Sequence, residues 1–206
     1  MTFFDFEKKM MDYPVFTSSE VKNIFLAKKN ILSQISFWEK KGHIRKLRKG
    51  VYVLVNSARE IDPMAFASKI YDPSYVSLEY ALYHHGIIPD VAWAYTSVTT
   101  RKPVKFSNDY GDYYYQKIKP ELFIGYRPLV EKNVSFNLAV PEKAIMDYIY
   151  FNKNKLIPKV DFWRELRIYE EFKFNKKRIE EYKKMFDDKK VSILIDSLLE
   201  YQKNAR

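Results

Sequence analysis

Apolar side chains recur at helical spacing in the first segments of the chain. In residues 3–12 the apolar positions fall on one side of a predicted helix, which Pro14 ends. The stretch VFTSSEVKNIFL then places Thr17 three residues before Glu20, the spacing of a capping box, ahead of a second helical pattern. These patterns predict two helices before residue 30.

A third helix and a hairpin are predicted next. Asn30 can cap the segment ILSQISFWEKK, and Gly42 supplies a C-terminal stop. Residues 43–55, HIRKLRKGVYVLV, read as two strands around a turn at RKG. The order helix, helix, short turn, helix and hairpin is that of a winged helix-turn-helix, whose third helix enters the DNA major groove.

The remaining pattern predicts a second domain after a polar linker at residues 56–63. The predicted fold is α+β, with a winged helix-turn-helix DNA-binding domain at residues 1–57. A mixed domain with a small, antiparallel-leaning sheet and C-terminal helices follows at residues 58–206. Its predicted strands lie in VAWAYTSVTTR, PVKF, DYYYQKI, LFIGYRPL and VSFNLAV. Its predicted helices start at Pro63, after a cap at Ser77, and at Pro141, and three more cover roughly 159–171, 175–187 and 190–203.

Composition limits the class of protein. The 206 residues are 47% hydrophobic and 30% charged, which fits a packed core and does not fit a disordered chain. No apolar run approaches the roughly 18 residues that a membrane helix needs, and MTFFDFEKKM lacks the apolar core of a signal peptide. The absence of cysteine excludes disulfides and thiolate metal sites. We therefore expect a cytoplasmic protein that does not associate with membranes.

Positive charge is concentrated in one stretch. The net charge is +10, and the segment Lys28–Lys49 holds eight cations against one acid, Glu39. This segment spans the predicted third helix and the first strand of the hairpin, which a winged helix presents to DNA. A basic surface also suits an anionic membrane or an acidic protein, so charge alone leaves the partner open.

Candidate DNA contacts follow from this arrangement. Amide side chains can pair with adenine edges, serine is adaptable, and a phenylalanine can touch a thymine methyl group or pack on the wing. An ordinary solvated helix face is the alternative interpretation. Alternate strand positions point in opposite directions, so one or two of the hairpin cations would have structural roles, with Arg48 and Lys49 nearest the tip. The predicted base contacts are Asn30, Ser33, Gln34 and Phe37, and the predicted phosphate contacts are Lys28, Lys29, Lys41, Arg45, Lys46, Arg48 and Lys49.

Four sequence blocks in the second half of the chain carry a family resemblance. The blocks are YVSLEYALYHHGIIP, YTSVTTRKPVKF, YYYQKIKPELFIGY and AVPEKAIMDYIYF. In this order and spacing they resemble the AbiEi-type antitoxins of abortive-infection toxin–antitoxin pairs. The resemblance covers about residues 15–155. The N-terminal region is similar to that family's winged helix through the hairpin pattern of Gly42, Ile44, Arg48, Gly50 and Tyr52.

The resemblance implies a transcriptional autorepressor that binds inverted repeats in its own promoter. It also implies an antitoxin whose C-terminal domain counters a nucleotidyltransferase-like toxin. We expect double-stranded promoter DNA as the partner, a monomer or weak dimer that pairs on DNA, and no cofactor. Two alternatives remain open, a stand-alone winged-helix regulator without a toxin and a module whose basic surface binds an acidic toxin directly.

The sequence shows no set of residues typical of a catalytic site, so an enzymatic function is not indicated. The hydroxyl-rich stretch TSVTT lacks a paired base, and β-propensity explains most of its composition. His84 and His85 are adjacent, so on a helix they point about 100° apart. A hydrogen bond at the end of that helix is favoured over a metal site.

Overall fold

The computed structural model describes residues 1–204, and the predicted α+β class is confirmed. No helix among the described residues is both long enough and apolar enough to cross a membrane. The helices are α1 (Phe3–Met10), α2 (Ser18–Ile24), α3 (Ile31–Lys40), α4 (Val55–Ala58), α5 (Phe66–Ile70), α6 (Leu78–His84), α7 (Pro141–Asn152), α8 (Val160–Glu165), α9 (Lys176–Phe186) and α10 (Lys189–Asn204), with 3-10 turns at Pro63–Ala65 and Pro120–Leu122. The strands are β1 (Val15–Thr17), β2 (Ile44–Arg48), β3 (Val51–Leu54), β4 (Ser74–Val76), β5 (Tyr95–Thr99), β6 (Val104–Asn108), β7 (Gly111–Lys117), β8 (Tyr126–Glu131) and β9 (Val134–Ala139).

The N-terminal module, residues 1–57, contains the predicted three helices and the hairpin of β2 and β3, which we call the wing. An additional short strand, β1, pairs with β3, so the antiparallel order is β1-β3-β2. The capping box at the start of α2 is confirmed, since the hydroxyl of Thr17 accepts from the Glu20 N–H and Glu20 accepts from the Thr17 N–H. Gly42 follows α3 with a φ of +79°, the left-handed conformation that ends a helix.

The two faces of this small sheet pack against different partners. Phe16, Ile44 and Leu54 pack with the helices of the N-terminal module in one buried cluster. Leu47 and Val53, on the opposite face, belong to the buried cluster of the second domain. Each fully buried side chain of this size stabilises by about 1.5–3 kcal/mol. The N-terminal module therefore shares part of its core with the rest of the chain.

The second domain, residues 58–204 as described, is built on a six-stranded mixed sheet. Its order is β6-β7-β5-β4-β9-β8, with antiparallel pairs β4–β5, β6–β7 and β8–β9 and parallel pairs β4–β9 and β5–β7. In β7 the side chains of Tyr113 and Tyr115 are buried while Tyr114 is 36% exposed. That alternation is the core-and-surface pattern expected for DYYYQKI. Residues of α10, including Leu194 and Leu198, are buried, so this helix packs into the core of the second domain.

Three local predictions are wrong. The segment 56–63, predicted as a polar linker, begins inside the short helix α4, which ends at Ala58, and Ala58 and Ile61 are buried. The helix expected over residues 159–171 is limited to α8, and Arg167 beyond it has a φ of +54°. Asn30 and Ser77 precede their helices, but neither side chain makes a capping hydrogen bond.

A buried polar cluster, which the sequence did not indicate, joins α7 to β4. Lys143 and Asp147 form an ion pair one helical turn apart, and both side chains are fully buried. Asp147 accepts hydrogen bonds from the hydroxyls of Tyr75 at 2.9 Å and Ser77 at 2.8 Å, and Lys143 Nζ donates to Tyr75 Oη at 2.8 Å. Burial raises the pKa of Asp147 and lowers the pKa of Lys143. With every polar atom of the pair partnered and water excluded, the cluster fits a structural role.

Candidate nucleic-acid interface

The outward face of α3 lies opposite its buried side. Ile31, Ile35 and Trp38 are buried, and successive helix residues are about 100° apart. The exposed residues opposite them are Ser33, Ser36, Phe37 and Lys40. Ser36 and Lys40 were missed from sequence, although their spacing from the buried residues was the available signal. This face is polar except for one large aromatic ring, which suits contact with base edges and thymine methyl groups.

The structure places the four predicted base contacts differently. Ser33 is exposed, and 56% of Phe37 is exposed. Asn30 is exposed, and its side chain is not used in a cap. Gln34 lies at the margin of the core, where its amide oxygen is shielded and has no hydrogen-bond partner among the described residues. Ser33 and Phe37 are thus better positioned to meet a DNA groove than Gln34.

Exposed cations flank this face. Lys28 and Lys29 precede α3, and Lys41 follows it with its Nζ 5.7 Å from the centroid of the Phe37 ring. Lys49 is exposed at the tip of the wing. None of these four lysines forms an ion pair with another residue of the described chain. Their charges are therefore available to phosphate groups.

Two cations of the wing are already paired with carboxylates. Lys46 Nζ lies 2.8 Å from Glu39 of α3, and that hydrogen bond raises the pKa of Lys46. Arg45 Nε lies 3.2 Å from Asp109 of the second domain. All four side chains are partly exposed, and ion pairs of this kind contribute little stability. Both cations border the cleft between α3 and the wing, but the carboxylates reduce their net charge there.

Arg48 points away from the exposed surface of the wing. Its Nε donates to the carbonyl oxygen of Ile70, and its guanidinium carbon lies 5.8 Å from the centroid of the Phe106 ring. The register of the wing shifts between Lys46 and Arg48, so the simple alternation assumed from sequence does not hold at this position. Arg48 therefore contacts the second domain, and Lys49 is the exposed cation at the tip.

The second domain also holds the wing through its backbone. Asn108, at the end of β6, donates from its side chain to the carbonyl oxygen of Leu47 at 3.1 Å. At the wing turn, Gly50 has a φ of +79° and its carbonyl accepts from the Ser18 N–H at 2.9 Å. The position of the wing relative to α3 is thus fixed by contacts from both parts of the chain.

Thr96, Thr99 and His85 form hydrogen bonds within the fold. The hydroxyls of Thr96 and Thr99 donate to backbone carbonyls, each at 2.7 Å. His85 Nε2 lies 2.7 Å from the carbonyl oxygen of Ala139, which matches the hydrogen-bonding role expected for it. Burial lowers the pKa of His85 below its ordinary value. Within residues 1–204, no group of three or more histidine and carboxylate side chains could hold a metal ion.

Comparison with known proteins adds no further constraint on this interface. A scan of the chain against models of known protein families finds no match, and a search of curated proteins finds no match either. The interface therefore rests on the α3 face, the exposed lysines and the wing of this chain.

Proposed function

We propose that this chain is a DNA-binding transcriptional regulator that represses its own promoter and serves as the antitoxin of an abortive-infection-type toxin–antitoxin pair. The observation that carries the proposal is the exposed face of α3, which is bordered by lysines without a carboxylate partner at both of its ends and at the wing tip. A helix with a polar, partly aromatic outer face fits the major groove, and flanking lysines fit the phosphates beside it.

Repression would result from occupancy. Ser33 and Phe37 on α3 contact base edges, and Lys28, Lys29 and Lys49 neutralise phosphates and release counterions. Two copies, each a monomer or part of a weak dimer in solution, cover the halves of an inverted repeat. The polymerase is then excluded from the promoter.

The proposed antitoxin function is supported by a different observation from the one that supports DNA binding. It rests on the resemblance of the four sequence blocks in the second domain to AbiEi-type antitoxins, whose toxins are nucleotidyltransferase-like. A stand-alone regulator would have the same α3 face and wing. Expression of the chain beside a neighbouring toxin gene, with cell growth as the readout, separates these two functions.

The DNA part is tested by measuring affinity for the chain's own promoter over a range of salt concentrations. The slope of log K against log salt is expected to be about −0.9 for each phosphate contacted. Lys49→Ala should make this slope shallower by about 0.9, because one contact is lost. Lys177→Ala is the matched control, since it removes one exposed lysine on α9 and should leave the slope unchanged.

Base contact is tested separately. Phe37→Ala should weaken binding to the cognate site by about 1–3 kcal/mol and leave binding to unrelated DNA unchanged, as expected for a contact that discriminates between bases. Equal loss on both DNAs would refute the role of α3 in base recognition. A wild-type protein whose affinity is the same for promoter and unrelated DNA would contradict the proposed function.

A further inference from the structure

Arg48 and Arg101 come together where the wing meets the second domain. Arg101 lies just after β5, and its Nη1 donates to the carbonyl oxygen of Asp72 at 2.9 Å. Arg48 reaches the same short segment from the wing by donating to the carbonyl oxygen of Ile70. The two guanidinium groups are therefore held by carbonyls only two residues apart.

Aromatic rings fix the orientation of both groups. The guanidinium carbon of Arg101 lies 4.5 Å from the centroid of the Tyr71 ring, and that of Arg48 lies 5.8 Å from the centroid of Phe106. The Tyr71 and Phe106 rings are themselves neighbours, with centroids 5.8 Å apart. The Tyr71 hydroxyl also donates to the carbonyl oxygen of Lys102 at 3.2 Å, which anchors the loop that carries Arg101. The two cations are thus positioned in advance on one aromatic platform.

Neither arginine has a carboxylate partner among the described residues. The carboxylate of Glu20 borders the same cleft, but it accepts from Lys69 Nζ and from the Thr17 N–H, each at 2.7 Å. Asp72 also borders the cleft and forms no ion pair there. Two fixed like charges repel each other in this half-enclosed place, so an external anion between them would be favoured.

The space beside the arginines can hold such an anion. The cleft has a volume of about 550 Å³ and is lined by Arg48 and Arg101 together with hydroxyl and amide groups such as Ser135 and Asn137. Guanidinium groups donate in a planar fork that matches the oxygens of phosphate. Each arginine uses only part of its donor set on backbone carbonyls.

We propose that Arg48 and Arg101 form a phosphate-binding site at the junction of the wing and the second domain. The phosphate belongs either to a free phosphorylated small molecule or to the backbone of DNA that passes the wing. Binding of a DNA phosphate rests on the proposed function, whereas binding of a free phosphorylated molecule does not. In both cases a bound phosphate would tie the position of the wing to the second domain.

The first arm of the test uses the protein without DNA. Thermal unfolding is followed in inorganic phosphate and in chloride at equal, low ionic strength. A free phosphate ligand predicts a higher midpoint in phosphate for the wild type and for Lys177→Ala, and no such difference for Arg101→Ala. A general salt effect would raise all three midpoints equally. Asp72→Asn keeps both arginines and removes a negative charge that borders the cleft and would repel phosphate, so it should enlarge the phosphate-induced shift.

The second arm measures promoter affinity against salt. A DNA phosphate predicts no shift in the first arm and a slope for Arg101→Ala that is shallower than the wild-type slope by about 0.9. Between 50 and 200 mM salt the variant would then lose about 3.5-fold less affinity than the wild type, while Lys177→Ala would match the wild type. Asp72→Asn should tighten promoter binding.

The two arms together can overturn the site. The proposal is wrong if Arg101→Ala matches the wild type in both the phosphate-induced shift and the salt slope. It is also wrong if Asp72→Asn weakens binding in whichever of the two measurements Arg101→Ala changes. A wild type that fails to bind DNA would refute the proposed function instead, and the first arm would then decide the phosphate site alone.

Discussion

The buried pair of Lys143 and Asp147 gives the sharpest prediction about stability. In Lys143→Met the carboxylate of Asp147 stays fully buried, and only the hydroxyls of Tyr75 and Ser77 remain to satisfy it. Removing one partner of a buried ion pair costs about 3–5 kcal/mol. A protein of this kind has a total free energy of unfolding of about 5–15 kcal/mol, so the loss is large but measurable.

Urea unfolding followed by circular dichroism measures this change, and three further variants separate its causes. The double variant Lys143→Met with Asp147→Leu removes both charges. The hydroxyls of Tyr75 and Ser77 then lose their acceptor, which lowers the free energy of unfolding by about 1–3 kcal/mol for each hydroxyl. Adding Tyr75→Phe and Ser77→Ala should recover much of that loss. Lys132→Met, which breaks an exposed pair with Glu60, is the control and should change stability little. If Lys143→Met unfolds at the same urea concentration as the control, the reasoning is refuted.

Three other variants test local features of the fold. Burial lowers the pKa of His85, so the contribution of His85 to stability is complete above about pH 6.5 and is lost as the pH falls. The free energy of unfolding, measured in urea at pH 7.5 and at pH 5.5, should therefore differ less between the two pH values for His85→Gln than for the wild type. Thr17→Ala should cost about 1 kcal/mol in the same assay, because the Glu20 N–H loses its cap, whereas Thr17→Ser should be close to the wild type. Gly125→Ala should lower the thermal midpoint, since Gly125 has a φ of +76° and an added Cβ would meet the Tyr182 hydroxyl, which must shift; an unchanged midpoint would contradict this.

Local sequence signals were reliable where the physical cause is local. The capping box of Thr17 and Glu20, the stop at Gly42 and the alternation of Tyr113, Tyr114 and Tyr115 depend on hydrogen bonds and side-chain directions within a few residues. These signals predicted most helices and strands and the α+β class. The concentration of lysines around α3 was also readable from the sequence, because exposed residues keep the charge that composition gives them.

Long-range contacts decided what the local signals could not. Ser77 was expected to cap α6, but its hydroxyl donates to Asp147, which is 70 residues away. Residues 56–63 are predicted as a polar linker, yet α4 extends to Ala58, and both Ala58 and Ile61 are buried in the core cluster of the second domain. The signal for the buried pair, Lys143 four residues before Asp147, is common on exposed helices and became informative only through its burial.

By itself, the sequence determined most of the secondary structure, the α+β class and the excess of positive charge near α3. Those properties depend on the order of residues and on their intrinsic preferences. Only the tertiary structure decided where each cation points, since Lys49 is exposed at the wing tip while Arg48 is turned toward Ile70 and the cleft beside it. The same packing brought Arg48 and Arg101 together from distant parts of the chain. The direction of a charged side chain depends on the carbonyls, rings and carboxylates around it, and folding alone brings these groups into place.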